Sequence, residues 1–338
     1  MNYNPDDVGV KNGFLFGIPQ KYDDSALVII PVPWEVTVSY NAGTAVAPQA
    51  VLNASPQLDI YHCEFPEAWK RGIMMLDIPQ DILLRNNSLR TKAKEYIMML
   101  EAGAAIEEYP VLMQHLQEIN MACDELRKWV YDESEKHSRN GKKVALLGGD
   151  HSTPLGLIQM LASKRDFGIL QIDAHADLRE AYEGFTYSHA SVMYNAVQCE
   201  GVSHLVQVGI RDVSNGEVNY AHNHPKITTF YDHTLKKESF GGKTWKQQTE
   251  DILAALPDDV YISFDIDGLC PSLCPHTGTP VPGGLTYAEA QYLIEEVAKN
   301  RNIIGFDLNE VSPSPDNEWD ANVGARVLYN LCVAILHK

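Results

Sequence analysis

The sequence has few basic residues for its length. Its 338 residues include 27 lysines and arginines against 45 aspartates and glutamates, a formal net charge of -18. Binding to nucleic acid or to an anionic membrane requires a basic face, so this balance argues against both as partners. We interpret the excess of acid as a solvated acidic surface, with electrostatic steering of a cationic substrate as the alternative.

Paired cysteines and long apolar runs are also missing. The six cysteines are scattered without any two-residue paired spacing, which favours reduced thiols over a disulfide framework. No apolar run approaches the roughly 18 residues of a membrane span. The N-terminal MNYNPDDVGVKNG carries acidic residues where a signal peptide needs basic ones, so we expect a cytoplasmic protein.

Internal repeats and linkers rich in proline, glycine or serine are absent, so we predict one domain over residues 1–338. Eight short apolar or β-branched runs recur, and most are continuously apolar, as strands buried on both faces are. They begin at positions 25, 71, 142, 167, 204, 226, 259 and 302. Helical patterns separate several of them, which indicates an α/β fold with helices on both faces of a largely parallel sheet.

Helical periodicity is clearest between positions 112 and 130. One apolar stripe is predicted there from the spacing of Leu112, Leu116, Ile119, Cys123, Leu126 and Val130. Further helices are predicted near 154–165, 286–300 and 321–336. We interpret the long segment 80–140 as a helical elaboration within the domain and expect it to serve subunit contacts.

Acids and histidines follow three of the predicted strands. Side chains two positions apart on an extended segment share a face, so the residues of D-x-H-x-D and D-x-D point the same way. The carboxyl ends of parallel strands meet at one crevice, so we expect the three strand ends to converge. The side chains are Asp150 and His151 in KKVALLGGDHS, Asp173, His175 and Asp177 in FGILQIDAHAD, and Asp265 and Asp267 in DVYISFDIDG.

Charge sets the number of metal ions that such a site needs. A single aspartate after a strand is more often a turn former or a helix cap than a ligand. Several like-facing carboxylates, however, cannot be buried together without compensating positive charge, and the two motifs contain no lysine or arginine, although Arg179 follows closely. Asp173, Asp177, Asp265 and Asp267 supply four negative charges, which two divalent ions neutralise.

The ligand types bear on the metal and on the reaction. Carboxylates and imidazoles without thiolate favour Mn²⁺, with Ni²⁺, Co²⁺ and Zn²⁺ as alternatives. A pair of such ions lowers the pKa of a bridging water, so hydroxide is available near neutral pH. Hydrolysis is therefore the predicted reaction class.

The motifs GGDHS, DAHADLR and SFDIDGL.PS...HTGTPVPGG resemble the three signature motifs of the ureohydrolase family, which includes arginase, agmatinase and formiminoglutamase. The resemblance runs from SYNAGTAVAPQAV at 39–51 to FDLNEVSP at 306–313. It implies a three-layer α/β/α domain around an eight-stranded, mainly parallel sheet. It also implies a binuclear manganese centre, with two Mn²⁺ per subunit, and a homotrimer or homohexamer.

The resemblance also implies a role for individual residues. It assigns His151 and Asp177 to one metal ion, His175 and Asp267 to the other, and Asp173 and Asp265 to both. His189 in EGFTYSHASVM matches a catalytic histidine, and its unperturbed pKa near 6.5 suits proton transfer. Glu310 in DLNEVSP matches a guanidinium-binding glutamate, whose carboxylate could accept two parallel N–H donors.

The loop LREAYEGFTYSHAS decides the predicted substrate. It lacks the Ser-Gly-Asn-x-His pattern of arginases and is similar to the corresponding loop of agmatinases. We predict a small cationic guanidino substrate, agmatine, hydrolysed to putrescine and urea, with Glu180 and Glu183 as candidate partners of its amine. Arginase or another guanidino-acid or formimino hydrolase is the alternative, with Arg179 and Arg211 as candidate partners of a carboxylate.

One departure from the family pattern and two rival classes complete the sequence interpretation. Cys270 stands in DGLCP where the family usually has aspartate, which could change metal affinity; with Cys274 it would need two more ligands to hold a soft metal. A histone-deacetylase-like amidase would hold one zinc ion with Asp, His and Asp, and the extra His151, Asp177 and Asp267 argue against it. An inactive scaffold homologue is the second rival.

Overall fold

All eight predicted strands are present, and they form one sheet. In this computed structural model, which describes residues 3–338, every pair of neighbouring strands is parallel. The strands are β1 (Leu27–Val32), β2 (Ile73–Met75), β3 (Lys143–Gly148), β4 (Phe167–Ile172), β5 (Val202–Ile210), β6 (Ile227–Tyr231), β7 (Asp259–Asp265) and β8 (Asn302–Asn309). Their order across the sheet is β2-β1-β3-β8-β7-β4-β5-β6. The predicted α/β fold is confirmed.

The helices of the described residues include those predicted near 112–130, 154–165, 286–300 and 321–336. They are α1 (Ala47–Ala54), α2 (Gln80–Glu101), α3 (Pro110–Arg139), α4 (Leu155–Ala162), α5 (Val192–Val197), α6 (Asn215–Asn223), α7 (Asp232–Phe240), α8 (Trp245–Ala254), α9 (Tyr287–Asn300) and α10 (Trp319–Leu336). Thr286 shows how sequence sets a start: its side chain and that of Glu289 cap the first turn of α9 reciprocally. None of the helices in the described part of the chain is long and apolar enough to cross a membrane.

Side chains on the two faces of the sheet pack into separate apolar layers. Along β1, Leu27 and Ile29 join the layer that contains α1, α8, α9 and α10. Ile30 and Val32 join the layer that contains α2, α3, α4 and α5. This alternation is the two-residue period of a strand, and burial on both faces explains why the strand sequences are continuously apolar. The result is the expected three-layer α/β/α arrangement.

Helices α2 and α3 occupy the segment predicted as a helical elaboration. Pro110 stands at the first position of α3, where its missing N–H leaves no helical hydrogen bond unmade. The predicted apolar stripe of α3 is buried apart from Leu116, which is half-buried. The division of residues 1–338 into one domain, and the use of this segment in subunit contacts, stay predictions.

The strand order places β3, β8, β7 and β4 side by side at the centre of the sheet. These are the strands after which the candidate site residues come. Because all four are parallel, their carboxyl ends open on the same edge, and the loops that follow them meet there. Short sequence motifs more than 100 residues apart are thereby brought together.

Candidate metal centre

The turn after β3 carries His151 to the centre of the site. Gly149 N donates to Val32 O at 3.0 Å, and Asp150 N donates to Trp34 O at 2.8 Å, so the turn is tied to the chain that follows β1. A Cβ atom on Gly149 would lie 1.8 Å from Trp34 O. This close approach of two backbones requires glycine, which explains the second glycine of GGDHS.

His151 Nδ1 is a buried nitrogen surrounded by carboxylates. It lies 3.0 Å from Asp173 Oδ2, 3.0 Å from Asp177 Oδ2 and 3.3 Å from Asp265 Oδ2. Among residues 3–338 it has no hydrogen-bond partner. Ligand atoms of His151, Asp173 and Asp265 all lie within 4.8 Å of one another. An imidazole nitrogen facing converging carboxylate oxygens is a donor set that suits a divalent cation.

The other ring nitrogen of His151 is fixed by a buried hydroxyl. His151 Nε2 lies 2.9 Å from Ser263 Oγ, and Ser263 Oγ donates to Asp307 Oδ1 at 3.0 Å. A hydroxyl has one proton to donate, so Ser263 accepts from His151 Nε2–H. In the neutral ring this leaves the lone pair on Nδ1, the nitrogen that faces the three aspartates. Such outer partners orient a metal-binding histidine.

A second donor group lies beside the first and shares one residue with it. Ligand atoms of Asp173, His175 and Asp267 lie within 4.8 Å of one another. His175 Nδ1 lies 3.0 Å from Asp267 Oδ2 and 3.6 Å from Asp173 Oδ1. Asp173 is thus common to both groups, as expected of a bridging ligand. Asp265 is a member of the first group only, so its predicted bridging role stays a prediction.

Backbone N–H groups hold the aspartates in place. His175 N donates to Asp173 Oδ1 at 2.6 Å, and Ala174 N donates to Asp267 Oδ1 at 3.0 Å. Asp267 N donates to Asp265 Oδ1 at 2.8 Å. Asp173, Asp265 and Asp267 therefore each have one oxygen anchored to the main chain and the other directed to a donor group. The short D-x-H-x-D and D-x-D spacings are what allow the backbone and the carboxylates to pair in this way.

Several charged groups of the cluster hold protons strongly; Asp173 is the exception, since its contacts with His151 and His175 outweigh burial and lower its pKa. Burial and the neighbouring Asp173 raise the pKa of Asp177 to about 7. Burial and Asp267 raise the pKa of Asp265 well above its usual value. Burial alone would lower the pKa of His151, but its contacts with the three aspartates raise it well above its usual value. Protons and metal cations satisfy the same concentrated negative charge, so they compete for these ligands.

A row of polar residues, which we call the polar row, crosses the sheet directly beneath the donor groups. In register across β8, β7, β4, β5 and β6 it consists of Asp307, Ser263, Gln171, Gln207 and Thr229. Thr229 Oγ1 donates to Gln207 Oε1 at 2.8 Å, and Gln207 Nε2 donates to Gln171 Oε1 at 2.7 Å. Gln171 Nε2 then donates to Asp173 Oδ2 at 2.8 Å. This series of hydrogen bonds ends on Asp173, the ligand that the two donor groups share.

Sequence reasoning missed the polar row, although a signal was present. Gln171 and Ser263 each stand two positions before a predicted ligand aspartate, on the same face of the strand. Polar residues in an otherwise apolar buried strand need partners, and here they partner one another. Asp150, by contrast, belongs to neither donor group, and its Oδ1 accepts the Ser152 backbone N–H at 3.0 Å as a turn former does.

Two of the site residues have left-handed backbone conformations. Asp177 has φ of 54° and Glu310 has φ of 61°. Aspartate tolerates this region, whereas glutamate seldom adopts it. Backbone strain of this kind is found at functional sites, where the surrounding structure holds a side chain in a required direction.

Glu310 lies beside the first donor group with one oxygen free. Its backbone N–H donates to Gly149 O at 2.9 Å, and its Oε1 accepts the His151 N–H at 2.9 Å. Oε2 is buried and has no hydrogen-bond partner among the described residues. Burial and the charge of Asp150 raise the pKa of Glu310 well above its usual value. A buried carboxylate with an unpaired oxygen is prepared for a cationic or N–H-donating ligand.

His189 lines the same cavity, in the 3-10 turn His189–Ser191 just before α5. It is half-buried, and its backbone N–H donates to Thr37 Oγ1 at 3.3 Å. The Tyr182 ring stands edge-on to its imidazole, with ring centroids 5.9 Å apart. Burial and the neighbouring His175 lower the pKa of His189 to about 3, so its ring is neutral at physiological pH.

One cavity of about 280 Å³ joins these features. It is lined by His151, His175, Asp177, His189, Asp265 and Glu310, and also by Ser39, Arg179, Tyr182, Ala190, Asp212, Val213, Ser214, Glu217 and Thr279. Asp212 and Glu217 follow β5, a fifth strand end, and the sequence reasoning did not name them. The expected amine partners Glu180 and Glu183 are not among the described residues that line the cavity, and their role stays a prediction.

The two nearby cysteines take no part in the donor groups. Cys270 is half-buried with its Sγ 3.2 Å from Ser272 Oγ, and Cys274 is buried. Within the described residues, neither belongs to a cluster of three potential metal ligands. The thiol in place of the usual aspartate therefore lies outside the ligand set.

Fold and donor groups together define a class, a hydrolytic enzyme of the α/β type with residues that could hold metal ions at the carboxyl edge of a parallel sheet. The chain belongs to the Arginase family, whose model matches residues 25–334. The resemblance seen in the three motifs is thereby confirmed. Its relatives include an N(1)-aminopropylagmatine ureohydrolase and an agmatinase, which are hydrolases. We assign the chain to the same enzyme class.

Named relatives and solved structures agree with this family. The chain is 32% identical over 295 residues to an N(1)-aminopropylagmatine ureohydrolase of Thermus thermophilus, covering 87% of this chain and 85% of that protein. It is 28% identical to the agmatinase of Sodalis glossinidius, covering 100% and 96%. The agmatine ureohydrolase of Thermoplasma volcanium has the same fold, with a TM-score of 0.69, 23% identity and coverage of 94% and 92%. So does the proclavaminate amidino hydrolase of Streptomyces clavuligerus, with a TM-score of 0.71, 19% identity and coverage of 98% and 99%.

Proposed function

We propose that the protein releases urea from a guanidino compound whose other end is an amine. Agmatine, giving putrescine and urea, is the first candidate. One observation carries the proposal: His151 Nδ1, facing three carboxylates, and Glu310 Oε2, unpaired among the described residues, open on the same cavity. The first arrangement suits a cation that activates water, and the second suits the planar guanidinium group.

The donor groups fit two divalent cations, for which we propose Mn²⁺, with Ni²⁺, Co²⁺ and Zn²⁺ as alternatives. One would be held by His151, Asp173, Asp177 and Asp265, and the other by Asp173, His175 and Asp267. When bound, such a pair supplies a nucleophilic water near neutral pH. Two overlapping donor groups are more than the single-zinc amidase needs, which is the argument against that rival.

Glu310 would fix the guanidinium carbon for attack. A guanidinium cation presents N–H donors in a plane, and a carboxylate accepts them with matching geometry. Oε1 already accepts the His151 N–H, so Oε2 is the oxygen open to the substrate. A guanidinium carbon held beside the nucleophile reacts faster, because the two reacting groups no longer have to meet by diffusion.

His189 would move the proton that the reaction requires. The oxygen of water adds to the guanidino carbon, the bond from this carbon to the amine nitrogen breaks, and urea leaves with the new oxygen. The leaving amine must gain a proton as that bond breaks. A neutral imidazole can accept the proton from the attacking water and pass it on to the leaving amine.

The far end of the cavity favours an amine over a carboxylate. Asp212 lies exposed at the rim, and its carboxylate makes no hydrogen bond or ion pair with any described residue. Arg211, one of the two candidates for binding a carboxylate, donates instead to the carbonyl oxygens of Asp267 at 2.6 Å and Val281 at 2.9 Å. Arg179, the other candidate, lies 3.6 Å from Glu217.

A longer polyamine is the second candidate substrate. The relatives from Thermus thermophilus, Synechocystis and Thermococcus kodakarensis carry the name N(1)-aminopropylagmatine ureohydrolase. An aminopropyl extension places a further cation toward the rim, where Asp212 and the acidic surface would stabilise it. Both candidates share the guanidino group and lack a carboxylate.

Urea release from agmatine, N(1)-aminopropylagmatine and arginine tests the proposal on manganese-loaded protein of measured metal content. We expect kcat/KM for the better amine substrate to exceed that for arginine by about 100-fold, because Arg211 is bonded to backbone carbonyls and Arg179 faces Glu217. A preference for arginine contradicts the proposed substrate class. One zinc ion per active chain supports the amidase rival, and two bound ions with no activity on any guanidino compound supports the scaffold.

A further inference from the structure

Helices α2 and α3, interpreted from sequence as an elaboration, contact the loop that carries His189. We propose that these two helices set the position of His189, and that Asn120 on α3 is the principal positioning residue. This inference rests on the proposed function, because it assumes that His189 transfers a proton during catalysis. It gives the segment 80–140 a role inside the subunit.

Asn120 pairs with the backbone of the loop through both ends of its amide. Its Nδ2 donates to Gly184 O at 3.0 Å, and its Oδ1 accepts the Thr186 N–H at 2.9 Å. One side chain therefore replaces the two hydrogen bonds that a neighbouring strand would make. Only an amide offers a donor and an acceptor in this arrangement.

The part of the loop that Asn120 holds is a tight turn. Tyr182 N donates to Phe185 O at 3.2 Å, and Phe185 N donates to Tyr182 O at 2.9 Å. The central residues Glu183 and Gly184 have φ of 54° and 83°, the signs that a type I′ turn requires. The turn has a defined shape of its own, so anchoring it at two atoms fixes its orientation.

The helices also pack closely against the turn, which leaves it no room to move toward them. A Cβ atom on Gly184 would lie 3.0 Å from the Tyr96 hydroxyl of α2 and 3.1 Å from Leu116 Cδ1 of α3. The ring of buried Phe185 packs against Tyr96, with centroids 5.4 Å apart. At the first position of the turn, the Tyr182 ring packs edge-on against the imidazole of His189. The turn thus connects the helices to one side of the imidazole.

Helix α2 supports the other side of His189 through a second segment. Buried Asn86 accepts the Glu35 N–H at 2.7 Å, and buried Arg90 donates to Val36 O at 3.2 Å. The next residue is Thr37, which accepts the His189 N–H. Both walls around His189 are therefore held by side chains from the same helical pair, and neither wall is part of the sheet.

Replacement of Asn120 tests the proposal in the full-length, metal-loaded protein. We expect Asn120→Ala to lower kcat by about 10- to 100-fold, because a misplaced catalytic group loses that much of its effect. Metal content and KM should stay at wild-type levels. Asn120→Asp keeps the acceptor for Thr186 but loses the donor to Gly184, so we expect an intermediate kcat; it carries the same test if the alanine variant does not fold. Exposed Gln117 on the same helix supplies the matched control, Gln117→Ala.

A second measurement separates positioning from a general loss of structure. In a His189→Ala background, Asn120→Ala should lower kcat no further, because both changes remove the same contribution. Losses that multiply, or loss of bound metal in Asn120→Ala, would overturn the inference. Amide hydrogen exchange over residues 182–188 should accelerate in Asn120→Ala, and unchanged exchange would also overturn it.

The two proposals fail in different ways. If His189→Ala retains wild-type activity, the proposed catalytic role of His189 is wrong. If His189→Ala is impaired while Asn120→Ala keeps wild-type kcat, only the positioning by the helices is wrong. Hydrogen exchange is read without substrate, so it reports on the contact between the helix and the loop whatever the substrate proves to be.

Discussion

The polar row and the loop over residues 179–189 serve the same cavity, but they are built differently. Gln171, Gln207, Ser263 and Asp307 are fully buried, and the register of parallel strands fixes each opposite the next. The loop is partly exposed and is held by side chains of α2 and α3. A sheet residue cannot shift without its neighbours, whereas a loop residue can.

This difference suggests a division of labour. The donor groups need four like charges held at short distances. The edge of a sheet can hold them there because its residues are fixed by the neighbouring strands. The groups that we propose for substrate choice and proton transfer, Asp212 and His189, lie outside the sheet in the segments that follow its strands. The same sheet edge can thus carry different substrate preferences, in agreement with functions located in sites on a shared fold.

The largest expected effect comes from breaking the rigid region at its shared ligand. Asp173→Asn removes one of four negative charges and the residue common to both donor groups, so we expect no detectable urea release. Metal analysis by mass spectrometry should show fewer than two ions per chain. Exposed Asp166 provides the control as Asp166→Asn. Full activity of Asp173→Asn would contradict the proposed metal centre.

A change in the loop should act on catalysis without releasing metal. We expect His189→Gln to lower kcat by about 100-fold or more, in the range for a lost proton-transfer group. Bound metal should remain at the wild-type level, since His189 belongs to neither donor group. Steady-state kinetics with parallel metal analysis would check this, and loss of metal from the variant would place His189 among the ligands instead.

Changes beneath the ligands should act on metal binding before they act on catalysis. Gln171→Leu removes the hydrogen bond to Asp173 Oδ2, and we expect metal affinity to fall by about 10- to 100-fold. Calorimetric titration of metal-free protein would measure this, with exposed Gln198→Leu as the control. An unchanged affinity would mean that the polar row does not orient the shared ligand.

The pH dependence of stability should distinguish protons from metal in the cluster. The pKa values of Asp177, about 7, and of Asp265 lie above those of the unfolded chain, so the folded protein binds more protons than the unfolded one. Stability of metal-free protein should therefore fall as pH rises from about 4 through 7. The raised pKa values of His151 and His175 act in the same direction, since their contributions are lost as pH rises through those values. The lowered pKa of His189, about 3, opposes this trend below about pH 6.5 and offsets part of it. The Tm with chelator should be several degrees lower at pH 8 than at pH 5, and saturating metal should reduce this difference; a Tm that rises with pH in the chelated protein would contradict it.

The smallest effect should come from the outer end of the polar row. Thr229 is half-buried and reaches Asp173 only through Gln207 and Gln171. We expect Thr229→Val to change metal affinity by no more than about 3-fold, because one intramolecular hydrogen bond contributes about 1 kcal/mol net. An effect as large as that of Gln171→Leu would show that the row acts as one unit.

Much of the fold was predictable because strand and helix periodicity are local properties. All eight strands were identified from short apolar runs, and the stripe on α3 from its spacing. The ligand motifs were equally local, because D-x-H-x-D and D-x-D each lie on one extended segment. The sequence could not show that Glu180 and Glu183 lie outside the cavity lining, for the converse reason: their direction depends on the turn at 182–185, which proximity in sequence does not specify.

By itself the sequence determined the parallel α/β architecture, the acids and histidines at the strand ends, and the family to which the protein belongs. Strand order, strand register and the packing of helices decided the rest. They placed Ser263 opposite Asp307, Gln171 beside the shared ligand, and Asn120 against a turn more than 60 residues away. Contacts between residues distant in the chain arise from packing of complete elements, and no short pattern of residues encodes them.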